Sequence, residues 1–310
     1  MSFLRRFSVY GDFWLRYLEW GARVCPWFME PVFMLVFTGM FWLCCGKARH
    51  AVATNLLTLI PGSWRWVNQF RAYRVFWNFA WTMTDLSHVR RGEKVITWEI
   101  VGKPQLRLLE EKTGGAVLLT AHMGNYDVAA PVFAHHFRRA VHMVRAPERD
   151  AESQKFQVEN RLKDKNGQFV VHYNEPGNML GIELAAAIGE GGVVAIQGDR
   201  ILFDVSPMKV PFKDGVEWQV PEGPFLLALI SKVEIHPVFI LRLGYRRYRV
   251  LAKDAIGLKV VGRDKKGAMR VAAEAWNEAI RPVMEKHWMQ WFVFEPVFTQ
   301  AAKSREEARG

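Results

Sequence analysis

Apolar residues crowd the first ninety or so positions, then give way to short apolar runs separated by polar, glycine-bearing segments. From Val24 to Cys45 the chain is almost continuously apolar, interrupted at Pro26, Glu30 and Pro31. Its unbroken part, residues 32–45, is about fourteen residues, short of the roughly twenty that a spanning helix needs. Taken with the preceding turn, the run is just long enough to span, and it then carries Glu30 along. Residues 49–88 read as further amphipathic helix. Ala51, Leu56, Leu57 and Leu59 lead to a break at Pro61-Gly62-Ser63, and the pattern resumes over residues 64–86.

After Gly92 the period changes. Residues 96–101 are strand-like, and residues 104–112 form a short helix closed by Gly114-Gly115. Ala116–Thr120 is a continuous apolar run fit for a buried parallel strand. Residues 141–144 and 169–171 are weaker copies of it. Val193–Gln197 follows a Gly189-Glu190-Gly191-Gly192 turn, and residues 235–241 make a further strand. Strands separated by helices predict an α/β fold with a mixed, largely parallel sheet flanked by helices. The expected division is a helical membrane-anchoring segment at 1–90, an α/β domain at 91–300 and a disordered charged tail at 301–310.

Composition sharpens the first ninety residues. Half of the chain is hydrophobic, with 13 Trp and 21 Phe, many in the first third, and Trp suits the headgroup layer of a bilayer. No small-residue cleavage site follows the apolar run, so it is not read as a signal peptide. Basic residues flank it on both sides (Arg16 and Arg23; Lys47 and Arg49), which leaves its orientation open. A membrane anchor, spanning or dipping, is the reading taken; a buried helical hairpin is the alternative.

The net charge of +11 suits nucleic acid, anionic lipid or an acidic carrier protein. No dense Lys/Arg block with interleaved aromatics and no zinc-finger or RNP signature occurs, which argues against nucleic acid. The three cysteines, Cys25, Cys44 and Cys45, lack framework spacing and read as small apolar fillers in a reducing compartment.

Chemistry concentrates in Leu118-Leu119-Thr120-Ala121-His122-Met123-Gly124-Asn125-Tyr126-Asp127. His122 falls just past the carboxyl end of a buried strand, where open α/β sheets bind ligands. Gly124 permits a tight turn, and Asn125 or Asp127 can begin the next helix. On one continuous helix, residues five apart point about 140° away from each other. His122 and Asp127 therefore meet only if His122 lies on the loop and Asp127 in the first helical turn. Asp127 then fixes the imidazole tautomer and leaves the other nitrogen free as a base. A polar strand end followed by a helix cap also accounts for the pair. His135-His136, His142, His172, His236 and His287 show no zinc-type spacing. No phosphate-binding glycine loop or dinucleotide fingerprint is present, so no metal or cofactor is expected.

His-x-x-x-x-Asp after an apolar strand resembles the hallmark of the glycerolipid and lysophospholipid acyltransferase superfamily. The wider pattern is similar to its branch of late lipid A acyltransferases, the lauroyl and myristoyl transferases, over nearly the whole chain. The carrying elements are Arg49, Asn55-Leu56 and Pro61 after the aromatic N-terminus, then Arg145-Ala146-Pro147 and Arg161. Gln197-Gly198-Asp199-Arg200, Val210-Pro211-Phe212, Pro221-Glu222-Gly223-Pro224, Ile235-His236-Pro237-Val238-Phe239 and Trp288-Met289-Gln290-Trp291-Phe292 follow in order. Two departures stand out. Asp127 occupies a position where many of these enzymes carry Glu, and residues 213–219 do not follow the branch's pattern.

The resemblance implies acyl transfer from a thioester of acyl carrier protein or coenzyme A to a hydroxyl of a membrane lipid or glycolipid. It implies a place at the bacterial inner membrane with the catalytic domain facing the cytoplasm. The basic charge favours the acidic carrier. His122 would deprotonate the acceptor, oriented by Asp127. Backbone amides at Met123-Gly124-Asn125 or a nearby arginine would hold the oxyanion. Direct transfer fits, because no Gly-x-Ser-x-Gly elbow exists and no cysteine lies near the motif. Arg145 and Arg161 go to phosphate or carrier contacts, or are solvated charges diluted by Glu148, Asp150, Glu152 and Asp164. Asp199 and Arg200 position the site or form a local ion pair. Glu222 and Gly223 bind acceptor or simply start a helix at Pro224. The rivals are the same chemistry on a lysophospholipid, ornithine lipid or phosphoinositol glycolipid, a non-catalytic lipid-binding protein, and a His/Asp hydrolase.

Overall fold

The computed structural model describes residues 12–60, 62–129, 133, 139–147, 169–175, 177–201 and 205–300. Pro61, His135, His136, Arg161, the acidic residues Glu148, Asp150, Glu152 and Asp164, and the charged segment 301–310 lie outside them.

Four helices come first: α1 (Asp12–Val24), α2 (Glu30–Cys44), α3 (Gly46–Leu59) and α4 (Arg65–Arg90). Pro31 does not break α2 but opens it, because a proline in the first turn forfeits no intrahelical hydrogen bond. Between α2 and α3 the chain turns by 91°. The turn falls at Cys45, whose ψ of 51° is not helical. Helix α4, 26 residues long, is the spine of this layer. Phe41 of α2 meets Phe76 of α4 edge-on, with ring centroids 5.0 Å apart. Phe79 and Phe76 in turn meet Phe294 at 5.3 and 5.4 Å. Aromatic pairs of this geometry add to the area they bury, so the N-terminal helices are joined to the rest by a continuous core.

The α/β part runs β1 (Thr97–Val101), α5 (Lys103–Glu111), β2 (Ala116–Thr120), β3 (Val141–Arg145), β4 (Phe169–Tyr173), α6 (Leu180–Gly189) and β5 (Val193–Gln197). Then come β6 (Pro207–Lys213), β7 (Val216–Pro221), α7 (Gly223–Ser231), β8 (Ile235–Gly244), β9 (Arg247–Ala252), α8 (Lys265–Lys286) and β10 (Phe298–Gln300). Seven strands form the main sheet in the order β1-β9-β8-β2-β5-β3-β4. Pairing is parallel from β8 to β4 and antiparallel only between β8 and β9. The expected α/β architecture, mixed and largely parallel, is the one observed.

Alternation along the strands divides the core into two. Val117, Leu119, Val194 and Phe239 face Trp276 of α8 and the N-terminal helices. Leu118, Val141, Met143, Val238 and Ile240 face the other way. A second sheet, β10-β7-β6, is antiparallel, and the sequence pattern does not predict it. Its edge strand β6 carries Pro207 and Pro211, which a sheet tolerates only at such edges.

Candidate active site

Strands β2 and β5 lie side by side and parallel, with Thr120 opposite Gln197. Two residues beyond each of these come His122 and Asp199, so register alone brings the pair together at the carboxyl end of the sheet. His122 Nδ1 lies 2.6 Å from Asp199 Oδ1, and the His122 backbone N–H donates to Asp199 Oδ2 at 2.9 Å. Asp199 is fully buried and His122 nearly so. Three tryptophans secure this corner: Trp291 Nε1 donates to Asp199 Oδ2, Trp218 Nε1 to the Asp199 carbonyl and Trp276 Nε1 to the Gly198 carbonyl. Burial alone would raise the Asp199 carboxyl. The attraction of the His122 imidazole and its two hydrogen bonds, with that from Trp291, outweigh it and hold the group below its ordinary value.

On the far side of the imidazole, Arg200 Nε donates to His122 Nε2 at 3.0 Å, and Arg200 Nη1 reaches Glu295 Oε2 at 2.7 Å. Arginine is only a donor, and the Asp199 carboxylate only an acceptor. The proton therefore sits on Nδ1, and Nε2 presents its lone pair. Burial first, then the Arg200 cation, lowers the His122 pKa, against the opposing pull of Asp199. Both effects favour the neutral imidazole, held in one tautomer.

The loop after His122 is held at each residue. Phe292 N–H donates to the His122 carbonyl at 2.7 Å, and Met123 bridges to Trp291. Gly124 has φ +57°, and a Cβ there would come 2.1 Å from the Ile240 carbonyl oxygen, so only glycine fits. Asn125 Nδ2 donates to the Thr82 carbonyl of α4 at 2.7 Å, while its Oδ1 accepts from Val128 N–H and caps the helical turn at 126–129.

Asp127 is not the partner of His122. Its carboxylate forms an ion pair with Arg145, at the end of β3. Asp127 belongs to the helical turn and faces the end of β3, whereas the neighbouring strand β5 delivers Asp199 directly to the imidazole. The Asp127 geometry expected from the sequence is thus corrected. Arg145 is no solvated surface charge, since this ion pair leaves its side chain 23% exposed. Arg200 bonds Glu295, and Asp199 bonds His122, so these two neighbours do not form an ion pair with each other. Glu222 and Gly223 head α7, with Pro224 in its first turn and the Glu222 amide on the Ser206 carbonyl. Among the described residues no hydrogen bond joins the Glu222 side chain to the His122 group. No sequence pattern singles out Glu295, Trp218 or Trp276, whereas Trp291 lies inside the aromatic segment that the resemblance marks.

Beside the pair lies an apolar cavity between the sheet face and the helical turn at 126–129. Leu118, Thr120, Met143, Ala195 and Ile240 line it together with Tyr126, whose ring stands edge-on 6.4 Å from the His122 ring.

A buried histidine–acid pair at the carboxyl end of a parallel sheet, opening beside an apolar cavity, defines an α/β enzyme suited to a long apolar substrate. The family model of the bacterial lipid A biosynthesis acyltransferases matches residues 31–299, and the chain belongs to that family. Its chemistry is acyl transfer to a lipid-like acceptor. No curated protein matches the chain.

Proposed function

We propose that the protein transfers a fatty acyl group from an acyl carrier protein or coenzyme A thioester to a hydroxyl of a membrane glycolipid resembling a lipid A precursor. The observation that carries this reading is the His122–Asp199 pair beside the apolar cavity. The acceptor hydroxyl takes the place of Arg200 on His122 Nε2. As its oxygen bonds to the thioester carbonyl carbon, its proton passes to Nε2, and Asp199 stabilises the imidazolium. The displaced Arg200 guanidinium, still tethered by Glu295, covers the carbonyl oxygen as it becomes an oxyanion. When the C–S bond breaks, the sulfur leaves with the proton from Nε2. The acyl chain lies in the cavity. No covalent enzyme intermediate and no cofactor enter the cycle.

In this reading Asp127 and Arg145, with Arg161, serve the polar part of donor or acceptor, Asn125 holds the loop, and Glu222 and Gly223 contact the acceptor. Residues 91–300 supply the chemistry and residues 1–90 the membrane side. Carrier-bound acyl groups are made in the cytoplasm, so the site faces the cytoplasm at the inner membrane. Mass spectrometry of lipids from cells with the native protein and with His122→Ala tests the whole. A species heavier by one acyl chain should vanish in the variant while its folding is retained, and its persistence would sink the mechanism. The mass itself names donor length and acceptor.

A further inference from the structure

Helix α2 carries apolar stripes on two opposite sides. At about 100° per residue, Met34, Phe37 and Phe41 gather on one side, where they are buried in the core. Val32, Leu35, Val36, Met40 and Leu43 gather on the other and are 42–65% exposed. No charged residue follows Glu30 in this helix. A surface helix ordinarily turns a polar face outward, and one that is apolar all round requires a second apolar environment.

The margins of the exposed stripe fit a bilayer surface. Trp27, Trp64 and Trp66 are 74–80% exposed. Trp42 of α2 stacks on Phe70, which makes the start of α4 continuous with the stripe. Exposed Arg23 and Lys47 flank α2 along the chain and exposed Arg65 opens α4, while no cation lies within the stripe. Indoles settle at headgroup level, and cations beside them meet anionic headgroups.

Crossing the bilayer is another matter. Among the described residues no single helix is long and apolar enough to do so, and α2 and α3 reach that length only across their 91° bend. The 15 residues of α2 rise about 22 Å against a hydrocarbon core of about 30 Å. Glu30 also fastens the helix to the α/β part. Tyr245 donates to it at 2.8 Å, His88 Nε2 lies at 3.2 Å and Arg246 at 3.6 Å. Threading α2 through a membrane would strand this carboxylate and strip Met34, Phe37 and Phe41 of their contacts.

We infer that α2 lies in the plane of one anionic leaflet, its outer stripe in the acyl region, and seats the enzyme on the membrane without crossing it. The inference rests on the reading of a membrane lipid as acceptor. The seat is built into the site: Asn55 of the neighbouring α3 donates to the Glu295 carbonyl at 2.8 Å, and Glu295 holds Arg200 against His122.

The test places a nitroxide at Val32, Val36, Met40 or Leu43, one at a time, in the full chain with its three cysteines replaced. Each protein is reconstituted in phosphatidylethanolamine–phosphatidylglycerol vesicles. In-plane seating gives all four labels the same depth and ready access to oxygen. A depth that changes steadily along the helix, or that passes through the bilayer centre, overturns the inference. Labels that oxygen cannot reach overturn it equally, since protein then covers the stripe. Replacing Leu35 and Val36 together by Glu should lower the vesicle-bound fraction about tenfold or more, given the area of two buried aliphatic side chains, with turnover kept on detergent-dispersed acceptor. Equal depths without any acyl transfer would spare the seat and sink the functional reading instead.

Discussion

Arg200 and Asp199 grip His122 from opposite nitrogens, and the Arg200 Nε lies 3.0 Å from Nε2, the nitrogen proposed to receive the acceptor proton. The cation lowers the His122 pKa in addition to burial. Replacing Arg200 by Gln removes that repulsion, so the pKa rises and more of the imidazole is protonated at a given pH. The acid limb of the kcat/KM profile, which reports the free enzyme, should move to higher pH, and kcat should fall about 10²–10³-fold if the guanidinium also stabilises the oxyanion. An unmoved acid limb would separate Arg200 from the base.

Asp199 and Asp127 should part company in kinetics. Asp199→Asn leaves the shape of the corner but no longer fixes the tautomer or stabilises the imidazolium, and kcat should drop about 10²–10⁴-fold. Asp127→Asn breaks the ion pair with Arg145 and should mainly raise KM. Steady-state kinetics on both variants decide this. Equal losses of kcat would return the orienting role to Asp127.

What the sequence disclosed follows from the range of the forces involved. β2 and β5 were legible to the residue, because strands buried on both faces read as continuous apolar runs. His122 was legible because it ends such a run. Its partner was not, since the choice between Asp127 and Asp199 depends on which strands are neighbours, and one chain does not display that pairing. β6 and β7 stayed hidden because their prolines and charges break the alternation that marks a strand. Glu295 was out of reach for another reason. Nothing local marks it, and its place is set by Asn55, 240 residues away in sequence.

The cavity predicts acyl selectivity. By register Ala195 lies between Leu118 and Met143 on the cavity face, and it is the smallest side chain of that row. Ala195→Leu fills the space where the acyl chain should pass, and preference should shift to shorter chains. One methylene too many is worth about 10–200-fold in such pockets. Competition between carrier-bound acyl groups of graded length reads the shift. An unchanged preference would place the acyl chain elsewhere.

Asn55 binds the carbonyls of Val293 and Glu295 and the amide of Val297, all in the segment that carries Glu295. Asn55→Ala removes these three hydrogen bonds at a site where the residue is 2% exposed, which should cost about 1–3 kcal/mol of stability. Turnover should fall as well, because Glu295 holds Arg200. Chemical denaturation together with the kcat of the folded variant tests both effects. A stability loss with normal kcat would uncouple the segment from the base.

His236 makes acid stability a separate matter from catalysis. It lies on β8 opposite Leu118, and among the described residues its Nε2 has no hydrogen-bond partner. Burial, aided by the Lys112 charge and opposed by Glu234, takes its pKa down to about 4. The unfolded chain takes up a proton at about 6.5, so between these values only the unfolded state is protonated. Stability is therefore complete above about pH 6.5 and declines as the pH falls toward 4, by roughly 3 kcal/mol in all for this one group. His236→Leu cannot take up the proton, and its stability should decline less over the same interval. Denaturant midpoints at pH 7 and pH 4.5 for both proteins measure the difference, and parallel declines would show that His236 is protonated without penalty in the folded state.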